Sequence, residues 1–238
     1  MVISLDTFIN DFKNSGIIEW IGQYYDIIMV WVTGSRAVHL DDDNSDYDIG
    51  ILVADKIDTP RDPEHMASGK YIKDPEKHIH LLMHTLKDVY SLPIIAPYIF
   101  YSQLGWIQFS NFDDEHTIYV NPSYTKIVDE LADNKDLISK KAAYAYLTVL
   151  EPIFNVLVDG IRPEGVLSKF ITYALLCLNL LTADQVPHEQ LLRIKQTPIQ
   201  QLTSDDFALV VAKAKIAKQV IAELKLPDLQ LKSFDTWW

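Results

Sequence analysis

Ile27-Ile28-Met29-Val30-Trp31-Val32 runs into Thr33-Gly34-Ser35-Arg36, and about ten residues later Ser45-Asp46-Tyr47-Asp48-Ile49-Gly50-Ile51 opens a second stretch of the same kind. The first segment is a short apolar, β-branched run ended by turn residues, which reads as a buried strand meeting a tight bend. From Asp46 to Val53 the pattern alternates strictly. Asp46, Asp48, Gly50 and Leu52 share one face, and Tyr47, Ile49, Ile51 and Val53 share the other. A two-residue period predicts a strand buried on one side. Gly34 lets backbone approach a phosphate closely, and Ser35 offers a hydroxyl and an N–H to phosphate oxygens. Asp46 and Asp48 fall on the same face, several ångströms apart. Such a pair is either exposed or neutralised by a divalent cation. A cation beside a phosphate-binding bend suits displacement at a phosphoryl group.

Outward from this centre the apolar spacing defines two regimes. Leu5, Phe8, Ile9, Phe12, Ile17, Ile18 and Ile21 predict helix from about 5 to 24, with Asn14-Ser15-Gly16 as a break. His78 to His84 is a third candidate strand, with Ile79, Leu81 and Met83 on one face and His78, His80 and His84 on the other. Pro60, Pro63 and Gly69 mark a loop, and the segments 107–110 and 117–120 read as a strand pair. Beyond Pro122 the pattern is helical: about 123–133, 136–159 with a kink at Pro152, 164–183, 188–195 and 204–225. Thr203 with Asp206 is a loose capping box for the last of these. The expected architecture is α/β: a small mixed sheet over residues 1–121, then an all-α helical bundle over 122–238, with a cleft between them.

The arrangement Gly34-Ser35 … Asp46-Tyr47-Asp48-Ile49-Gly50-Ile51 resembles the DNA polymerase β-like nucleotidyltransferase superfamily, whose motif is a Gly-Ser turn followed by Asp-x-Asp leading an apolar strand. The remainder resembles predicted nucleotidyltransferases of bacteria and phages that append a helical domain. This looser similarity rests on Asp136-Leu137-Ile138-Ser139-Lys140-Lys141, on Ser168-Lys169 … Tyr173-Ala174-Leu175-Leu176, and on Leu191-Leu192-Arg193-Ile194-Lys195. The resemblance implies transfer of a nucleoside monophosphate from an NTP, with ATP expected, to an acceptor hydroxyl. It assigns Asp46 and Asp48 to Mg²⁺ or Mn²⁺, and Gly34, Ser35 and Lys169 to the triphosphate. Lys169, on an otherwise apolar helix, either snorkels to the surface or turns into the cleft, the second being the expectation. Arg36 is expected to meet either a phosphate or the acidic stretch Asp41–Asp43.

One position departs from the family pattern. A third carboxylate is expected from a later strand, and the residue in phase there is His80. Imidazole binds metal or takes a proton near neutral pH, but it lacks the charge that holds hard Mg²⁺. Asp74, Glu76 and Asp88 are nearby acids out of strand phase. Two further readings therefore stand beside the enzyme: a degenerate protein that holds nucleotide without turnover, and an antitoxin-like role with a partner protein as acceptor.

Composition narrows the remaining classes. The chain has 238 residues, 48% apolar and 23% charged, enough for one large domain or two small ones. Thirty-three acidic residues against 21 basic ones give a net charge of −12, which disfavours polynucleotide or anionic membrane as partner. The acceptor is thus expected to be a small molecule or a protein. The single cysteine, Cys177, sits among apolar neighbours and is expected to be a buried, inert thiol. With the absence of a basic, apolar opening segment, it points to the cytoplasm. An EF-hand is excluded because the sixth and twelfth loop positions counted from Asp41 are Asp46 and Leu52. His80-Leu81-Leu82-Met83-His84 has zinc-protease spacing but lacks the glutamate, and strand alternation fits it better. The terminal Trp237-Trp238 either docks on the helical part, which is the expectation, or marks a contact surface.

Overall fold

The computed structural model describes residues 4–41, 45–54, 72–74, 79–86, 115–164 and 168–231. Ser4 caps α1 (Leu5–Lys13), its hydroxyl accepting from the Thr7 N–H at 3.2 Å, and Gly16 at φ 77° separates it from α2 (Ile17–Gly22). Only a residue tolerant of left-handed backbone turns the chain so sharply there. Then follow β1 (Asp26–Thr33), the single-turn helix α3 (Gly34–Ala37), β2 (Tyr47–Ala54), β3 (Ile72–Asp74), β4 (Ile79–Thr85) and β5 (Thr117–Val120). These strands form one mixed sheet in the order β3-β4-β2-β1-β5. β2 and β4 run parallel, and the other neighbours are antiparallel.

One face of this sheet carries Val30, Val32, Tyr47, Ile49, Ile51, Val53, Ile79, Leu81 and Ile118, packed with Phe8, Ile9 and Phe12 of α1 and Ile21 of α2. Burial of these side chains is the main favourable term holding the helices on the sheet. The expectation of a strand buried on one side is corrected at β2. Apart from Asp48, every β2 residue is buried, Gly50 and Leu52 included. The reason lies in the cross-strand pair Trp31↔Gly50. A Cβ on Gly50 would sit 2.8 Å from Trp31 Cδ2 and closer still to Cε2 and Cζ2, so the missing side chain is the space the indole fills. The ring stacks at 5.6 Å on His84, which burial leaves neutral with a pKa of about 3.

Helices follow: α4 (Thr125–Asp133), α5 (Lys135–Val149), α6 (Glu151–Val158), α7 (Ser168–Leu181), α8 (His188–Gln196) and α9 (Ser204–Glu223). The expected long helix is two, parted at Leu150, with Pro152 in the first turn of α6, where its missing N–H is tolerated. The fold is mixed α/β, and no helix among the described residues is long and apolar enough to cross a membrane. By contacts the chain divides into two units. The first runs to Ile138 and resumes at Leu229; the second is Ser139–Asp228. That division falls inside α5 rather than at residues 121/122. The segment 107–110, the loop 60–69 and the terminal Trp237-Trp238 lie outside the described residues.

Within the second unit, α9 packs along α6 and against α7, and α8 lies on α7. Cys177 of α7 is fully buried, which pushes its thiol well above the ordinary range. Buried charges here are paired. Lys213 donates to the Asp184 carboxylate and carbonyl, both at 2.8 Å. Asp206 accepts from Arg193 and from the Thr203 hydroxyl, while Thr203 caps α9 by accepting the Asp206 N–H at 3.2 Å.

Burial raises the Asp206 carboxyl, but the Thr203, Arg193 and Gln190 contacts outweigh it and leave the pKa below its ordinary value of 3.8. A carboxylate depressed in the native state stabilises it above the unfolded pKa, and that stability is lost as pH falls through the folded value. Asp206→Asn is therefore expected to cost about 2 kcal/mol at pH 7. Urea denaturation across pH should show the gap to the parent protein constant above about pH 5 and closing below about pH 4.

Candidate functional site

The Gly-Ser bend sits where β1 ends. Thr33, the last residue of β1, pairs with Asp48 of β2. Gly34 follows at φ 77°, a left-handed conformation that turns the chain at once into α3. At this position the need for glycine is double. A Cβ on Gly34 would fall 2.6 Å from Asp48 Cγ, 2.7 Å from its Cβ and closer still to Oδ2. The Asp48 carboxyl group therefore rests directly on the glycine backbone. Ser35 is buried, and its carbonyl accepts from the Leu40 N–H at 2.9 Å, which folds the chain back after the helical turn.

The strand proper begins at Tyr47, so Asp46 stands just ahead of it and Asp48 within it; both are half-buried. Tyr47, between them, belongs to the core. Its ring stacks on Phe8 of α1 with centroids 3.7 Å apart and planes 11° from parallel. The Arg36 guanidinium lies 4.0 Å from the same ring centroid. Two planar groups at such distances must take opposite faces of the phenol, which gives the column Phe8–Tyr47–Arg36. Arg36 also donates to Asp41 Oδ2 at 3.0 Å and to the Ser45 carbonyl at 2.6 Å. Of the two roles expected for Arg36, the geometry displays the second, a clamp on the acidic stretch.

The parallel pairing of β2 with β4 puts His80 at the register position beside Asp48. Ile79 and Leu81, its neighbours, are core residues on the same sheet face as Tyr47 and Ile49. By alternation, positions 48 and 80 occupy the opposite face, at the roughly 4.8 Å spacing of adjacent strands. β3 adds Lys73 beside His80, completing a row Thr33, Asp48, His80, Lys73 across the sheet. Sequence reading missed Lys73, because the three-residue β3 carries too short a pattern to reveal its pairing. Asp74 pairs with Ile79, one step out of that row; Glu76 and Asp88 lie outside the described residues. The segment 79–85 is a strand, so the histidine pair 80/84 does not have the helical spacing of a zinc protease.

Lys169 belongs to the second unit, in the first turn of α7, and is exposed. Among the described residues no three His, Cys, Asp or Glu side chains form a metal-holding group. The donors at the bend are carboxylate oxygens, the hard ligands Mg²⁺ and Mn²⁺ prefer. The cradle left by the missing Gly34 side chain holds one of them at the bend. By the chemistry of these donors, Asp46 and Asp48 would be the residues to hold such an ion.

Gly34→Ala is expected to lose about 2–4 kcal/mol in urea denaturation, from left-handed strain and collision with Asp48 together. The chain matches no known protein-family profile and none of the curated proteins.

Proposed function

We propose that the protein is a nucleotidyltransferase of the polymerase β-like kind, its sheet unit joined to an α-helical domain, moving a nucleoside monophosphate from an NTP to an acceptor hydroxyl. The observation that carries this reading is the contact of the Asp48 carboxyl group with the Gly34 backbone. It joins a hard-oxygen donor to a bend of the type that receives phosphate. ATP is the expected donor, and the acceptor is a small molecule or a protein, since the net charge of −12 disfavours polynucleotide.

In this reading Asp46 and Asp48 would hold Mg²⁺ or Mn²⁺, which when bound supplies positive charge against the charge developing on the phosphoryl group. Ser35 offers its hydroxyl and N–H to the outer phosphate oxygens, and Gly34 lets them come close to the backbone. His80, beside Asp48 in register, takes up the acceptor's hydroxyl proton or contributes a nitrogen ligand. The role of Lys169 toward the terminal phosphates rests on the resemblance alone.

A second reading is favoured by one position. The resemblance calls for a third carboxylate, and His80 occupies the place beside Asp48. A protein with that substitution holds nucleotide without turnover.

Calorimetry with ATP and Mg²⁺ or Mn²⁺ measures binding, and pyrophosphate release with candidate acceptors measures turnover. Asp48→Asn is expected to weaken metal-dependent ATP binding by more than about a hundredfold, the upper range for losing merely an outer-shell partner. Unchanged metal-dependent affinity in that variant refutes both readings. Binding without pyrophosphate release selects the second. His80→Asp is expected to tighten Mg²⁺; equal or weaker binding removes His80 from the site.

A further inference from the structure

The Arg36 side chain is built into its place. The side chain is only 10% exposed, and its guanidinium lies on the Tyr47 ring and donates to the first and last described residues of the acidic stretch, Asp41 and Ser45. Ser45 is covalently next to Asp46, and Tyr47 lies between the two aspartates. Phe8 backs the phenol from the core side. Three of these contacts, Arg36 to Ser45, Arg36 to Tyr47 and Phe8 to Tyr47, end on the short segment that bears Asp46 and Asp48, while Arg36 itself follows Gly34 and Ser35 directly. One side chain therefore ties the bend to the carboxylates.

We propose that Arg36 is a positioning residue that sets Asp46 and Asp48 for a divalent cation, acting through the Ser45 carbonyl and the Tyr47 ring rather than by contact with the metal or a phosphate. The inference rests on the reading of the two aspartates as a metal site. Its physical content is geometric. A cation held by two carboxylates requires both to be fixed within a fraction of an ångström, and groups behind the ligands supply that fixity. A planar fork suits the task, since it can stack and donate in two directions at once. Lysine, with a compact ammonium on a flexible stem, cannot do both. The Asp41 partner keeps the guanidinium neutralised, so it does not repel an arriving cation.

The test is Mn²⁺ binding to the full chain without nucleotide, read from the loss of the free-ion electron paramagnetic resonance signal, for the parent, Arg36→Met, Arg36→Lys and Asp48→Asn. Circular dichroism melts fix a temperature at which each variant is folded. The parent is expected to bind Mn²⁺ and Asp48→Asn to lose it. Arg36→Met and Arg36→Lys are expected to weaken it about tenfold or more. A residue that only stabilised the fold would lower the melting temperature and leave Mn²⁺ affinity unmoved at the permissive temperature. Parent-like Mn²⁺ affinity in both Arg36 variants, with Asp48→Asn defective, overturns the positioning role and leaves the metal site standing. Arg36 variants that keep Mn²⁺ but bind metal-free ATP less well overturn it in favour of a phosphate contact. Failure of the parent to bind Mn²⁺, or equal binding by Asp48→Asn, removes the metal-site reading and the inference with it.

Discussion

Thr33 and Asp48 pair across the antiparallel strands β1 and β2, and the residue after Thr33 is a glycine in left-handed conformation. The carboxyl group of Asp48 occupies the volume where any other residue at 34 would place its Cβ. The bend and the strand bearing the carboxylates therefore constrain each other. The turn cannot relax toward ordinary backbone without releasing the aspartate, and a larger residue in the turn would push the strands apart. The surrounding structure reinforces the register. Core residues alternate along β1 and β2 on the α1 face, so a one-residue slip would carry Tyr47, Ile49 and Ile51 out of the core and Asp48 into it.

The column Phe8–Tyr47–Arg36 acts perpendicular to that constraint. Strand pairing fixes Asp48 along the sheet, and the stacked rings and guanidinium fix the segment from Ser45 to Tyr47 against α1. The acidic stretch from Asp41 to Ser45 is in this way anchored at both ends by one arginine. Its negative charge is partly answered before any ligand arrives.

Much of this was legible in the sequence. The β-branched run at 27–32 and the alternation from Asp46 both became strands. The break at Gly16, the cap at Thr203 and the helices after Pro122, apart from the one that divides at Leu150, fell within a few residues of their expected bounds. Local chemistry writes those features, because helix caps and pleat alternation depend on neighbours in the chain. What stayed hidden depends on distant partners. Burial of β2 on its second face follows from an indole lying over Gly50, and alternation alone reads that glycine as a polar-face position. Phe8 stacks on a tyrosine 39 positions away in the chain, beyond the reach of any local pattern. The neighbour of His80 on β3 emerged only once antiparallel pairing was fixed.

The cover that Trp31 makes over Gly50 has an optical consequence. An indole only 2% exposed and stacked on an uncharged imidazole is expected to emit at short wavelength and to be shielded from dissolved quenchers. Trp20, at 43% exposure on α2, remains open to them. The chain thus carries, in one of its own chromophores, a native indicator of whether β1 and β2 are still zipped together.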